Sequence, residues 1–452
     1  MIPSGSDSGL LAAFHGAARD FPWYRTLLAE HGLDPADVGD AASFARCCPI
    51  LTKANTFDRF PLQQLAALTP IASLAGVLTS SGHGGRFSFG LQTREQAASG
   101  GQAIDAALDD AFGVATRTTL AVNCLPMGVG FSSERMTVAT TSVREDMAVA
   151  LIKAFGPSYD QVVVVADPLF MNRLLDYAAG HDLDWRQHRV NVVLGEETFG
   201  ERFRTYVTAR LGLDAQRPDS GYVMSSFGVG ELGLHLLFET PATIALRRAV
   251  AVDSGLAQAL GVRGGVRSPV PMFFSHHPGR TFLEIVDADS AGFGRLTVSM
   301  LDRALPIPLL RYQPGDLARL LPGEAVTRAL RDRGLPVPAD LPPLLVALEG
   351  RERERLPDGS HVAVYKDALY ADDEVARRLS GAFRLVLSDA GCTMHVQRSA
   401  SAEDDGQLRR RLLDSMPAAM RPTDLIVWPY ASFPFGMGLD YERKFTYWAR
   451  QV

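Results

Sequence analysis

The sequence predicts a large α/β domain with mostly parallel sheets, followed by a small α+β domain. Three observations predict it. The chain of 452 residues exceeds what one hydrophobic core usually organises. Between Thr119 and Leu194, apolar runs of strand length alternate with runs of helical spacing, the pattern of parallel strands with helices on both faces. Pro336, Pro338, Pro342 and Pro343 then cluster ahead of Gly350-Arg351, and shorter elements follow. The expected domains are residues 1–349 and 350–452.

The bulk composition, 46% hydrophobic and 21% charged, is ordinary for a soluble globular protein. A formal net charge of −6 argues against a nucleic-acid surface. No run approaches the length of a transmembrane helix, and MIPSGSDSGL lacks the basic start and apolar core of a signal peptide. Cys47, Cys48, Cys124 and Cys392 have no C-x-x-C spacing; adjacent Cys47 and Cys48 read as core residues, and a reducing cytoplasm fits.

Taken in order, Leu10–Gly32 has apolar positions at helical spacing around Phe21, Trp23 and Tyr24. Ile71–Leu78 reads as a strand, and alternation in Arg86–Leu91 reads as another. Between them lies a Gly-rich loop with Ser80, Ser81, Gly82, His83, Gly84, Gly85 and Arg86. Such a turn lets backbone N–H groups converge on an anion, and Arg adds a fork that matches phosphate. The Lys-Ser/Thr ending of a P-loop is missing. A plain surface turn is the competing reading.

A helix is expected over Thr93–Phe112 and a buried strand over Thr119–Cys124, leading into Leu125–Phe131. Helix Glu145–Phe155, strand Gln161–Ala166, helix Leu169–Ala178 and strand Arg189–Leu194 follow. Ligands of such sheets gather at the carboxyl ends of strands, which here are Leu125–Phe131, Ala166–Phe170 and Gly195–Glu197. Tyr222–Ser226 is a further strand. Beyond it, Gly228-Val229-Gly230-Glu231-Leu232-Gly233 spells G-x-G-x-x-G, with Asp253 about 20 residues on, as in a dinucleotide fingerprint. Leu234–Phe238 is short and runs into Pro241, which makes a poor fingerprint helix. His235, His276 and His277 have no partners at zinc-like spacing, so a loop pair before Pro278-Gly279 is the reading there.

Gly294–Met300 reads as a strand, followed by Arg311-Tyr312-Gln313-Pro314-Gly315-Asp316, where a carboxylate at a tight Gly turn can accept both hydroxyls of a ribose. P-G-D is also an ordinary turn. The remainder reads as strand His361–Tyr365, helix Asp372–Ser380, strands Phe383–Leu387 and Thr393–Arg398, helix Gln407–Met416 and strand Asp424–Trp428.

The Gly-rich loop resembles the phosphate loop S-S-G-T-T-G-K-P of adenylate-forming enzymes. Ser80, Ser81, Gly82 and Gly85 match, while His83 and Gly84 replace the two Thr, Arg86 replaces Lys and Phe87 replaces Pro. The chain is most similar to the phenylacetate–CoA ligase and coenzyme F390 synthetase subgroup, whose "PFYR…L…P…TK" opening resembles Phe21–Lys53. Gly195-Glu196-Glu197 fits G-x-E. Phe227-Gly228-Val229-Gly230-Glu231 resembles Y-G-x-T-E, with Gly230 in place of Thr. Arg311–Asp316 resembles R-Y-R-T-G-D, and Gly350-Arg351 matches the G-R hinge, although Glu352 and Glu354 alternate with Arg353 and Arg355. Lys444 lies where the family keeps its adenylation lysine, without the usual G-K form. A solvated lysine in a charged run is the alternative there.

The resemblance implies that Ser80–Gly85, Gly195, Glu196, Phe227, Gly228, Asp316 and Arg351 bind nucleotide. Phe227 would stack on adenine, and Glu231 would hold Mg²⁺. Arg86, Glu231 and Lys444 would be catalytic, and Met127, Gly128, Phe131 and Pro168 would wall an acid pocket. The implied activity is ATP-Mg²⁺-dependent formation of an acyl-adenylate from a small carboxylic acid, then acyl transfer to CoA. Transfer to an amine or a protein, ATP binding without turnover, and NAD-dependent redox chemistry are the alternatives. The implied partners are the acid and the nucleotide, with neither nucleic acid nor membrane, in a cytoplasmic protein that forms a homodimer.

Overall fold

A computed structural model describes residues 7–79, 87–126, 129–214, 220–403, 406–435 and 446–451. The amino-terminal helical segment is two helices, Asp7–Asp20 and Pro22–Glu30, because Pro22 suits the first turn of a new helix and not the interior of an old one. A third helix, Ala41–Cys47, starts on a capping box in which Asp40 accepts from the Ser43 amide at 2.6 Å. Phe14, Phe44 and Phe282 pack edge to face in sequence, with centroids 5.6 Å and 6.4 Å apart. Of the adjacent cysteines, Cys48 is buried but Cys47 is exposed.

Two short strands, β1 (Gly76–Thr79) and β2 (Phe89–Gln92), pair antiparallel with Thr79 opposite Phe89. They flank the Gly-rich stretch as expected, though Ile71–Ser73 is a 3-10 turn and not strand. Thr93 and Gln96 cap the next helix, Arg94–Phe112, by a reciprocal pair of hydrogen bonds.

The alternating region forms β3 (Thr119–Asn123), β4 (Thr137–Thr140), β5 (Gln161–Ala166), β6 (Val190–Leu194) and β7 (Val223–Val229), all parallel in the order β7-β6-β5-β3-β4. Every residue of β3, β5 and β6 is buried, as continuous apolar strands under helices on both faces should be. The sheet then continues antiparallel. β8 (Gly233–Phe238), β9 (Met272–His276), β10 (Thr281–Val286), β11 (Gly294–Met300), β12 (Asp316–Pro322) and β13 (Leu344–Arg351) extend it in the order β10-β11-β12-β13-β9-β8-β7. The large domain is therefore a mixed sheet of 11 strands, parallel on one side of β7 and antiparallel on the other. The Pro-rich stretch feeds directly into β13, and the chain leaves this sheet at Arg351.

A second sheet, in the order β16-β15-β14-β17, is built from β14 (Leu379–Ser388), β15 (Gly391–Arg398), β16 (Asp424–Trp428) and β17 (Trp448–Arg450). Leu379, Phe383, Leu385, Met394, Val396 and Leu412 form a core of their own there. Two local expectations change. His361–Tyr365 is not a strand: His361 caps a helix, Val362–Ala368, by accepting from the Ala363 amide at 3.1 Å. Burial of Val362, Ala363, Val364 and Tyr365 within the domain outweighs their local preference for strand. The helix expected over Asp372–Ser380 is only Asp373–Ala376, because β14 already begins at Leu379.

Candidate active site

The candidate site lies where the parallel and antiparallel halves of the sheet meet, at β7. At the carboxyl end of β6, Gly195 donates to the Ala166 carbonyl at 2.9 Å, and Glu196 then adopts φ +69°, a left-handed conformation that side chains rarely take. That turn brings Glu196 and Glu197 to face Ser225, Ser226, Phe227 and Gly228 of β7 across one cavity. Asp316, Gly350, Arg351 and Glu354 close it from the other side. Asp316 opens β12 and Arg351 ends β13, and the two stand directly opposite in the antiparallel register. Gly315 supplies φ +95° for the turn ahead of Asp316.

Buried charge fixes these strands. Glu239 and Arg204 are both buried, and their two hydrogen bonds measure 2.9 Å and 2.7 Å. Glu239 also accepts from the Ser225 amide at 2.8 Å, which locks the β7 backbone just ahead of Phe227. Arg204 is further paired with Glu201 at 2.9 Å. Arg311, buried at φ +54°, is held by Glu284 at 3.2 Å and by the Ser299 hydroxyl, which accepts from its amide at 2.8 Å. Arg311 therefore sets the path of the segment that carries Tyr312 and Asp316.

Glu231 lies on the turn between β7 and β8, outside the cavity lining. The Tyr312 hydroxyl donates to its Oε1 at 2.6 Å, while its Oε2 is buried without a hydrogen bond among the described residues. Burial first, and then Glu231, pushes the Tyr312 phenol well above its ordinary range, so it stays protonated and donating. A β-carbon on Gly90 of β2 would fall 1.9 Å from the Gly230 carbonyl oxygen, so the β1–β2 hairpin rests backbone to backbone on this turn.

The carboxyl-terminal domain meets the large one at the same place. Lys366 lies 2.9 Å from Glu197, the Tyr447 hydroxyl donates to the same carboxylate at 2.6 Å, and the Lys366 ammonium sits 4.0 Å over the Tyr447 ring. Burial lowers the Lys366 pKa, but Glu197 and Glu354 more than offset it and keep the ammonium charged. Asn172 donates to the Leu379 carbonyl at 2.9 Å, and the Tyr370 ring packs 4.8 Å from Phe203. Asp167, at the end of β5, caps the helix Pro168–Ala179 by accepting from the Phe170 amide at 2.9 Å. Burial above all, with help from Glu197 and Glu196, pushes its carboxyl up to about 7.

No protein-family model matches the sequence, and no curated protein matches it. Among solved structures, 2-hydroxyisobutyryl-CoA ligase in its post-adenylation state, in complex with R3-HIB-AMP, superposes with a TM-score of 0.70 at 13% identity, over 98% of this chain and 88% of that one. The same ligase in complex with 2-HIB-AMP gives 0.69 at 13% identity over 98% and 88% of the two chains. Its open conformation, in complex with 2-HIB-AMP and CoA, gives 0.58 at 13% identity over 98% and 90%. This chain shares the fold of that ligase.

On that fold, Glu196, Phe227, Gly228, Asp316 and Arg351 line one cavity, and Gly195 adjoins it. Phe131 packs against the cluster of Leu108, Phe112 and Leu125, and Pro168 is the buried first residue of its helix; neither lines the cavity. Ser80–Arg86, Met127, Gly128 and Lys444 lie outside the described residues. The G-x-G-x-x-G spelling is a β-hairpin, β7 to β8, and not a strand followed by a helix, so the dinucleotide fingerprint has no helix amino terminus on which to seat a pyrophosphate. The histidines make no metal cluster among the described residues. His276 ends β9, and His235 lies in β8, where φ +59° turns its ring onto Phe238 at 4.8 Å and its Nδ1 to 3.0 Å from the Ser226 hydroxyl. The structure adds Glu197, Tyr312, Lys366 and Tyr447 to the residues of interest. Glu197 and Tyr312 stand inside the recognised motifs, whereas Lys366 and Tyr447 carry no local signal.

Proposed function

We propose that the chain is an ATP-dependent ligase that converts a small carboxylic acid to an acyl-adenylate with release of pyrophosphate, and then passes the acyl group to a thiol, that of CoA. The observation that carries this reading is the convergence of Glu196, Phe227, Gly228, Asp316 and Arg351, drawn from four separate motifs, on one cavity at strand ends. In the first step a carboxylate oxygen attacks the α-phosphorus of ATP and the bond to the β-phosphate oxygen breaks, so two anions must meet. Asp316 would accept the ribose hydroxyls, Phe227 would lie against adenine, and Arg86 and Lys444 would offset the phosphate charge. In the second step the thiol attacks the acyl carbon and AMP leaves.

A Mg²⁺ ion fits Glu231. Hard cations favour carboxylate oxygen, and one protein carboxylate suffices where phosphates and water complete the shell. Glu231 offers an Oε2 without a hydrogen bond among the described residues, and Tyr312 orients the other oxygen. The ion would neutralise phosphate charge. The phenylacetate–CoA ligase-like subgroup is our assignment of substrate type, with the acid entering beside Met127, Gly128, Phe131 and Pro168. The boundary at residues 349/350 would let the carboxyl-terminal domain turn between the two steps. We place the reaction in the cytoplasm; no helix among the described residues is long and apolar enough to cross a membrane.

The test is exchange of labelled pyrophosphate into ATP across a panel of acids, followed by CoA, amine or carrier protein as acceptor. Acid-dependent exchange followed by thioester formation supports the reading. ATP binding without exchange for any acid overturns it in favour of a binding module, and amide or acyl-protein products move the acceptor away from CoA.

A further inference from the structure

Glu197 joins two otherwise separate features of the molecule. It lines the cavity shared by Glu196, Phe227 and Asp316, and it is also where the carboxyl-terminal domain makes a buried charged contact with the large domain. The Glu197 side chain is 14% exposed and that of Lys366 10%, so the pair is largely shielded from water and from salt. Tyr447 completes the group. Its hydroxyl donates to the same Glu197 oxygen that Lys366 contacts, its ring lies under the ammonium, and it also packs on Phe383 of β14, at 5.0 Å. Lys366 and Tyr447 reach Glu197 from separate parts of the chain, a helix and the approach to β17. The domain's remaining links to the large domain include Arg202–Asp367, at 3.5 Å and half exposed, and the neutral hydrogen bond from Asn172 to Leu379. The buried charged contact between Lys366 and Glu197 is thus centred on a carboxylate in the cavity wall.

We propose that Glu197 is a positioning residue: a latch that grips Lys366 and Tyr447 and holds the carboxyl-terminal domain over the cavity, so that closure of the domain and completion of the cavity are one event. The inference rests on the two-step reading above for its kinetic consequence, but the latch itself does not. Release separates two charges that the closed arrangement keeps dry, and each must then be rehydrated or re-paired, which makes the contact two-state and not graded. Closure holds for the step that needs the cavity complete, and opening frees it for the acceptor. Glu197 does this without touching the reacting atoms.

The experiment measures the distance between fluorophores at Glu324→Cys, on an exposed helix of the large domain, and Asp389→Cys, on the exposed β14–β15 turn, in the full chain with Cys47 and Cys392 replaced by serine. Glu197→Gln keeps the shape and removes the charge; Lys366→Met removes the partner charge; Tyr447→Phe removes only the hydroxyl and keeps the packing against Phe383. Without any ligand, the first two should shift or broaden the distance distribution, and Tyr447→Phe should do so to a smaller degree. The kcat for pyrophosphate exchange should fall about ten- to a hundredfold in Glu197→Gln, while transfer from a supplied acyl-adenylate to CoA stays within about twofold of the parent. Distributions identical to the parent in both Glu197→Gln and Lys366→Met overturn the latch. Equal losses in both half-reactions also overturn it, because they mark a residue that only supports the fold. If the distances shift as expected but the parent exchanges no pyrophosphate with any acid, the latch stands and the two-step reading falls.

Discussion

Replacing Asp316 by alanine tests the nucleotide site at its most defined point. Asp316 is 3% exposed, opens β12 after a left-handed glycine, and stands across the ladder from Arg351 on the cavity wall. If it accepts the ribose hydroxyls, the substitution removes hydrogen bonds to a charged acceptor, worth about 1.5–3 kcal/mol each. Partial replacement by water brings the expected loss in kcat/KM for ATP to roughly ten- to a thousandfold, or about 1.4–4 kcal/mol. Most of it should appear in the KM for ATP, because the ribose contacts are made in ground and transition state alike. ATP binding by calorimetry gives the same answer without any knowledge of the acid, and thermal unfolding separates a local effect from a damaged fold. An ATP affinity and KM equal to those of the parent would remove Asp316 from the site and undo the convergence on which the functional reading rests.

Glu231→Gln should raise the Mg²⁺ concentration for half-maximal pyrophosphate exchange by at least about tenfold, since it replaces an anionic oxygen by a neutral one; an unchanged Mg²⁺ titration refutes the metal assignment. Tyr312→Phe should lower stability by about 1.5–3 kcal/mol in urea unfolding, the cost of removing a donor from a charged acceptor. Glu239→Ala should cost about 3–5 kcal/mol, because Arg204 stays buried with only part of its charge matched; a loss below about 1 kcal/mol would mean that water reaches Arg204. The carboxyl of Asp167 is raised to about 7 in the fold, so the native state holds a proton that the unfolded chain has already released. Stability should therefore fall as pH rises from the ordinary carboxylate range to about 7 and level off above it, a total of up to about 4 kcal/mol. Asp167→Asn, which keeps the cap, should be more stable than the parent at pH 8 and lose that advantage towards pH 4; parallel pH profiles would refute this.

Much of the candidate site was legible because its residues sit at strand ends and next to glycine turns, where chemistry and spacing coincide. Gly315-Asp316, Gly195-Glu196 and Phe227-Gly228 each combine a conformational requirement with a functional group, and all of them reach one cavity. The parallel half was legible for a related reason: buried strands alternating with helices leave a strong local rhythm. The antiparallel half left less, and Gly294–Met300, which is β11, was its one strand read with the right bounds. β9, β10 and β13 are short apolar runs whose neighbours are fixed by pairing across long stretches of chain, with Phe274 of β9 opposite Val346 of β13. The proline cluster drew attention away from β13, and a run of Val and Tyr disguised the helix Val362–Ala368. Glu197 is 169 residues from Lys366 and 250 from Tyr447, a contact with no local trace.

The amino-terminal helices have a consequence for how the protein is made. Phe44 packs on Phe282, and the Leu51 backbone bonds to Arg311 and Gln313 on either side of Tyr312, at 2.9 Å in both directions. The surface that covers these helices is therefore synthesised about 260 residues after Leu51. At roughly 5–20 residues per second, tens of seconds pass on the ribosome before Arg311 is joined to the chain. Phe14, Trp23, Tyr24 and Phe44 can pack on one another during that interval, but Phe44 must wait for Phe282. This segment is thus made well before the strands that secure it, and its contact with them forms late.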